Sequence, residues 1–138
     1  VDRYGRKLGK SWWYTEEITD DELDLAVAQF KLNHVKIVFT HDAPTLAPAL
    51  KHGMDERELA WTWPSDLLDL SARPRAKLQR VMDRVKPELW IHGHYHYSYT
   101  ADIAGTKIIG LANADQYGIK ESTVSLTLED SKWKLNQR

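Results

Sequence analysis

At 138 residues, with 42% hydrophobic and 28% charged side chains, the chain has the composition of one globular domain, not of a disordered or fibrous segment. A net charge of −1 gives no electrostatic case for nucleic acid or for an anionic membrane surface. Cysteine is absent, which excludes disulfides, thiolate metal sites and cysteine nucleophiles and suits a reducing cytoplasm; no apolar run approaches the ~20 residues of a membrane-spanning helix.

Residues 1–18 are irregular. Arg3, Arg6, Lys7 and Lys10 precede Ser11-Trp12-Trp13-Tyr14, which reads either as a connecting loop packed by its tryptophans or as part of an active site. Thr19 and Glu22 have the spacing of a capping box, with Asp20 and Asp21 in the first turn. Leu23, Val27 and Phe30 follow at helical spacing, predicting a helix over 20–32. Asn33-His34 ends it, and His34 reads as a polar residue favoured by the helix dipole. The β-branched run Val35 to Thr40 predicts a buried strand, stopped at His41-Asp42-Ala43-Pro44 because proline cannot continue a ladder.

The stretch from 41 to about 73 reads as a long loop punctuated by proline and glycine. It has room for single helical turns at Asp55–Leu59 and Ser65–Leu68. Trp61 and Trp63 alternate, so they share a face if extended and would wall a site, and His52 reads as solvated. Pro74 suits the first position of a helix over 74–86. Leu78, Val81, Met82 and Val85 are its buried stripe; Lys77, Arg80 and Arg84 form a basic stripe expected to be solvated. Strand 88–92 follows Pro87. Two strands, 97–100 and 106–111, flank an Ala104-Gly105 turn, and 123–128 alternates with period two. Trp133 and Leu135 would extend that last strand across a turn at 129–131. The order predicts a mixed α/β (α+β) fold, with residues 1–138 as one unit.

Histidine marks the ends of both buried strands. Leu89-Trp90-Ile91-His92-Gly93-His94-Tyr95-His96 presents two imidazoles one residue apart just past a strand, where side chains i and i+2 share a direction. The strand before His41 ends the same way. Ligands of α/β sheets sit at the carboxyl ends of the strands, and neutral imidazole is a common ligand of borderline transition metals. His41, His94 and His96 are therefore the candidate metal ligands, expected to converge through a crossover that sets both strand ends on one side of a sheet. His34 and His52 should lie outside that cluster, with His92 the plausible impostor.

Thr40-His41-Asp42-Ala43-Pro44 and Gly93-His94-Tyr95-His96 resemble the last two metal-binding motifs of the calcineurin-like metallophosphoesterases, in their bacterial and phage branch. Val1-Asp2-Arg3 through Trp12-Trp13 and Glu16-Glu17 resembles the middle of such proteins. Their first three motifs, an Asp-x-His, a Gly-Asp-x-x-Asp and a Gly-Asn-His, do not occur here. The resemblance thus implies the carboxyl half of a four-layer αββα sandwich, whose amino half supplies the bridging aspartate, the asparagine ligand and the general acid. It implies two divalent ions, manganese, iron, zinc or nickel, clamping a phosphoryl group. His41 and His94 would hold one ion and His96 the other. The expected partners are a phosphate-ester substrate, monoester or diester, and the amino half of the same enzyme; no nucleic acid or membrane is expected. Asp42 would either orient a ligand or cap the loop that follows it. Alone, the chain is expected not to turn over phosphate esters.

Two other readings use the same residues. Three histidines could hold one ion in a binding module without turnover. Alternatively, the tryptophan-rich loops are a contact surface and the histidines are not ligands.

Overall fold

The computed structural model describes residues 7, 9–10, 17–48, 65–96, 98–129 and 132–136. The readings made for Arg3, Trp12, Trp13, His52, residues 55–59, Trp61, Trp63 and the 130–131 turn lie outside them. Among the described residues the fold is mixed α/β. A four-stranded sheet has β1 (Ile37–Thr40), β2 (Leu89–His92), β3 (Tyr99–Ile103) and β4 (Thr106–Gly110) in the order β1-β2-β4-β3. β1, β2 and β4 run parallel, and β3 pairs antiparallel with β4. Helices α1 (Asp20–Leu32) and α2 (Ser65–Val85) cover one face. Short helices α3 (Ala114–Tyr117) and α4 (Ile119–Ser122) lead to a separate hairpin, β5 (Ser125–Glu129) and β6 (Lys132–Asn136).

α1 starts where its sequence signature puts it. The Thr19 hydroxyl oxygen accepts from the Glu22 N–H at 3.2 Å, and Glu22 Oε2 accepts from the Thr19 N–H at 2.7 Å. That backbone donor, before any other influence, holds the Glu22 carboxyl below its ordinary value. At the far end the Asn33 N–H and side-chain amide both donate to the Gln29 carbonyl, and His34 turns the chain at φ 50.

α2 is longer than predicted. It begins at Ser65, and Pro74 lies inside it instead of at its first position. An internal proline forfeits one helical hydrogen bond at a cost of about 3 kcal/mol, and a reading built on that cost starts the helix too late. The long loop shortens accordingly, since Ser65–Leu68 is the first turn of this helix. The basic stripe of α2 is not merely solvated: it faces the acids of α1. Arg80 pairs with Asp20 at 2.8 Å, Arg84 pairs with Asp24, and Lys77 donates to the Ile18 carbonyl at 2.6 Å. Such exposed pairs add little energy, but they fix which faces of the two helices meet.

The register explains the core. Val38, Trp90 and Ile108 are lateral neighbours on three adjacent strands and point into the helix layer, where Leu23, Val27, Val81 and Met82 bury them. One residue along, Leu89, Ile91 and Ile109 point to the other face, against Leu126 and Leu135 of the hairpin and Val124 before it. β2 is flanked on both sides and buried on both faces, so all four of its residues are buried. β1 is an edge among the described strands, and Phe39 is left 63% exposed. Beyond β2 the Ala104-Gly105 turn has both residues at positive φ, the geometry that matches the twist of a two-residue hairpin. No helix among the described residues is long and apolar enough to cross a membrane.

Candidate metal centre

The crossover through α2 makes β1 and β2 parallel neighbours, with Thr40 opposite His92 as the last pair. Both histidine-bearing segments therefore leave the sheet at one end. The Gly93 N–H donates to the His41 carbonyl at 3.2 Å, tying the two segments together one residue past the ladder. His41 Nε2 and His94 Nδ1 then lie 2.9 Å apart, sharing a hydrogen bond in which one ring donates and the other accepts, with the rings edge to face. Two nitrogens bound at about 2.1 Å to one tetrahedral or octahedral ion are separated by about 3.0–3.4 Å. The pair thus stands within a few tenths of an ångström of the spacing that a shared ion requires.

His96 does not join them. Among the described residues no group of three or more His, Cys, Asp or Glu is arranged to hold a metal ion. The physical reason is local backbone shape. Alternation would aim residues 94 and 96 alike only on an extended chain, whereas β2 ends at His92, and both His94 (φ 68) and His96 (φ 61) are in the left-handed region. The Tyr95 N–H closes back on the Gly93 carbonyl at 2.8 Å, making a three-residue turn about His94 of the strained, positive-φ kind. Non-glycine residues pay roughly 1–2 kcal/mol for that region. Strain of this sort collects where a site needs a side chain aimed.

His92 lies outside the pair. It is 1% exposed and both its ring nitrogens are engaged. Nδ1 lies 2.9 Å from the Gly93 carbonyl, which only accepts, so Nδ1 carries the proton and Nε2 accepts from the Tyr99 hydroxyl. Burial pushes its pKa below the ordinary histidine value and keeps it neutral. Tyr99 reaches it by lying over Gly110, where any Cβ would run into the tyrosine ring. His34 ends α1, on the turn into β1, and is exposed.

Asp42 caps the loop: its Oδ1 accepts from the Ala43 N–H at 2.7 Å. The same oxygen accepts from the Tyr95 hydroxyl, also at 2.7 Å. Burial first, and then the Asp42 carboxylate, raise the Tyr95 pKa far above its ordinary value, so the phenol stays a donor. Thr40 completes this corner, donating to the Asp42 carbonyl at 2.6 Å and accepting from Trp90 Nε1 at 2.8 Å.

Tyr95 and Arg75 were not singled out by sequence. Arg75 is 8% exposed, and its Nη2 donates to the carbonyls of Pro44, Thr45 and Ala47 at 3.4, 3.0 and 3.3 Å. Its guanidinium carbon stands 5.7 Å from the centre of the Tyr95 ring. Its Nε–H has no hydrogen-bond partner among the described residues. The signal was present: 75, 78, 82 and 85 share one helix face, so an arginine stands in register with the buried stripe. Compared with known proteins, the chain matches no family model, and no curated protein matches it.

Proposed function

We propose that the chain supplies the histidine ligands of a binuclear metal centre that hydrolyses phosphate esters, diester or monoester, in the intact protein. The observation that carries this is the His41–His94 pair: two imidazole nitrogens 2.9 Å apart at the carboxyl ends of adjacent parallel strands. The resemblance of the two motifs to those of calcineurin-like metallophosphoesterases supplies the reaction. On this reading the domain is the carboxyl half of a four-layer αββα sandwich, working in the cytoplasm, and the amino half brings the bridging carboxylate and the general acid.

The donors present fit a borderline divalent ion, manganese, iron, zinc or nickel, at two positions of its shell. His41 and His94 would hold it, and His96 would reach a second ion once its turn rearranges. Two such ions would polarise the phosphoryl group and neutralise charge developing on it. The chain's own residues bind and aim. The His94 backbone presents the ring, Asp42 and Tyr95 hold the two loops, and buried His92 stays out of the shell.

The test is titration of the full chain with Mn2+, Zn2+ and Co2+ by calorimetry. Saturable binding that His41→Ala and His94→Ala each weaken at least tenfold supports the reading, and binding that neither change affects ends it. Hydrolysis of bis(p-nitrophenyl) phosphate is expected only when the amino half is supplied. Turnover by the 138-residue chain alone, abolished by His94→Ala, would contradict the divided centre.

A second reading keeps the ion without the turnover: a metal-binding module. The strained turn at His94 serves either reading, because aimed ligands raise affinity as well; the resemblance of the two motifs is what favours the enzyme.

A further inference from the structure

We propose that the Tyr95–Asp42 hydrogen bond is a positioning bridge that sets the spacing of the His41–His94 pair; its effect on metal affinity rests on the ligand reading of that pair. Asp42 follows His41 and Tyr95 follows His94, so the bridge joins the immediate neighbours of the two imidazoles, each one Cα step of about 3.8 Å away.

The need for it comes from the turn. A non-glycine residue at φ 68 relaxes unless its surroundings over-determine it. On the amino side, the Gly93 carbonyl is held by the Nδ1–H of buried His92 and by the Tyr95 N–H. On the carboxyl side, the restraint is the Tyr95 side chain. Its hydroxyl is fixed on Asp42 Oδ1, and Arg75 stands against its ring.

Asp42 is itself immobilised. Its carboxylate holds the Ala43 N–H, its carbonyl holds the Thr40 hydroxyl, and Arg75 grips the three carbonyls that follow along the chain. One arginine therefore braces both ends of the bridge. Oriented partners behind metal ligands typically contribute ten- to a hundredfold in affinity.

The experiment uses the full chain, labelled with 15N at histidine, read first without metal and then against Co2+ alone. In the wild type, the shared proton of His41 and His94 should give a through-hydrogen-bond nitrogen–nitrogen coupling. Tyr95→Phe keeps the ring and its place beside Arg75, yet it should abolish the coupling and weaken Co2+ binding about tenfold. Asp42→Asn keeps an oxygen able to accept both bonds and should retain the coupling. Asp42→Leu, which removes the acceptor and leaves Tyr95 intact, should lose it, so the answer does not hang on one variant folding. A coupling and a Co2+ affinity unchanged by Tyr95→Phe overturn the bridge, as does a wild type with no coupling at all. If the coupling responds as stated while wild type binds no Co2+, the bridge stands and the metal reading is what fails.

Discussion

The two strand ends that carry the histidines are built in opposite ways. After β1 the chain is held by many ordinary bonds: Asp42 caps Ala43, Thr40 holds Asp42, and Arg75 grips the carbonyls of residues 44, 45 and 47. No positive φ occurs from Val35 to Pro48. After β2 two of three successive residues, His94 and His96, are in the left-handed region, and the turn is tight enough for residue 95 to bond residue 93. One imidazole stands on a well-satisfied loop, the other on a strained one. The contrast shows how a pair 2.9 Å apart is made: one donor is fixed by accumulated bonds, and the other is pressed toward it against its backbone preference.

The largest expected effect comes from dismantling the satisfied side. Arg75→Ala removes the donor shared by three carbonyls and the support of Tyr95 at once. Unsatisfied buried acceptors and a lost charge-assisted bond together cost about 3 kcal/mol. Urea unfolding monitored by tryptophan fluorescence measures it; a loss below about 1 kcal/mol would mean that the loop holds its shape without the arginine.

Next is the packing beneath the strained side. Gly110→Ala places a methyl where the Tyr99 ring lies and forces that ring off His92. Overpacking of this kind costs about 1–3 kcal/mol. Tyr99→Leu in the same background should recover part of the loss, since a smaller side chain leaves room for the methyl. No recovery would place the strain elsewhere.

A glycine contrast tests the difference directly. At position 94, glycine should be about 1 kcal/mol more stable than alanine, because only glycine is at ease at φ 68. At position 41, where φ is ordinary, the order should reverse or vanish. Both substitutions at 94 remove the imidazole, so the strain is separated from the chemistry. Equal stabilities of His94→Gly and His94→Ala would show that the turn is not strained.

What was legible in the sequence follows the same division. Thr19 and Glu22 announced α1 because a capping box is local chemistry, complete within four residues. The strand runs before His41 and Gly93 were legible from β-branched, apolar composition, and parallel pairing then followed from the crossover. The meeting of His41 and His94 across 53 positions was thus within reach of topology. The divergence of His96 was not, because it depends on two left-handed residues that side-chain alternation does not encode. The start of α2 was missed for a different reason: Pro74 suits a first helical position, whereas the helix runs on through it from Ser65. Arg75 was overlooked because a charged residue on an apolar stripe declares itself only once the carbonyls it meets, some 30 residues upstream, are known.

The smallest expected effect is in acid, and it separates the two ends by protonation. His92 is buried and neutral, and desolvation holds its pKa below the ordinary value of 6.5. Above about pH 6.5 neither the folded nor the unfolded state binds a proton at this residue, so it adds no pH dependence. As pH falls through 6.5, the unfolded chain takes up a proton that the folded chain refuses. The unfolded state then binds more protons, and stability declines as pH decreases, levelling off only below the lowered folded pKa. A protonated His92 would also have no acceptor left for the Tyr99 hydroxyl, so the loss is carried by the β2 side of the site. Urea midpoints measured from pH 7.5 to 5 should fall in wild type. They should fall less in His92→Gln, whose amide offers a donor and an acceptor with no charge to gain. Parallel curves for the two proteins would remove His92 as the source of the acid sensitivity.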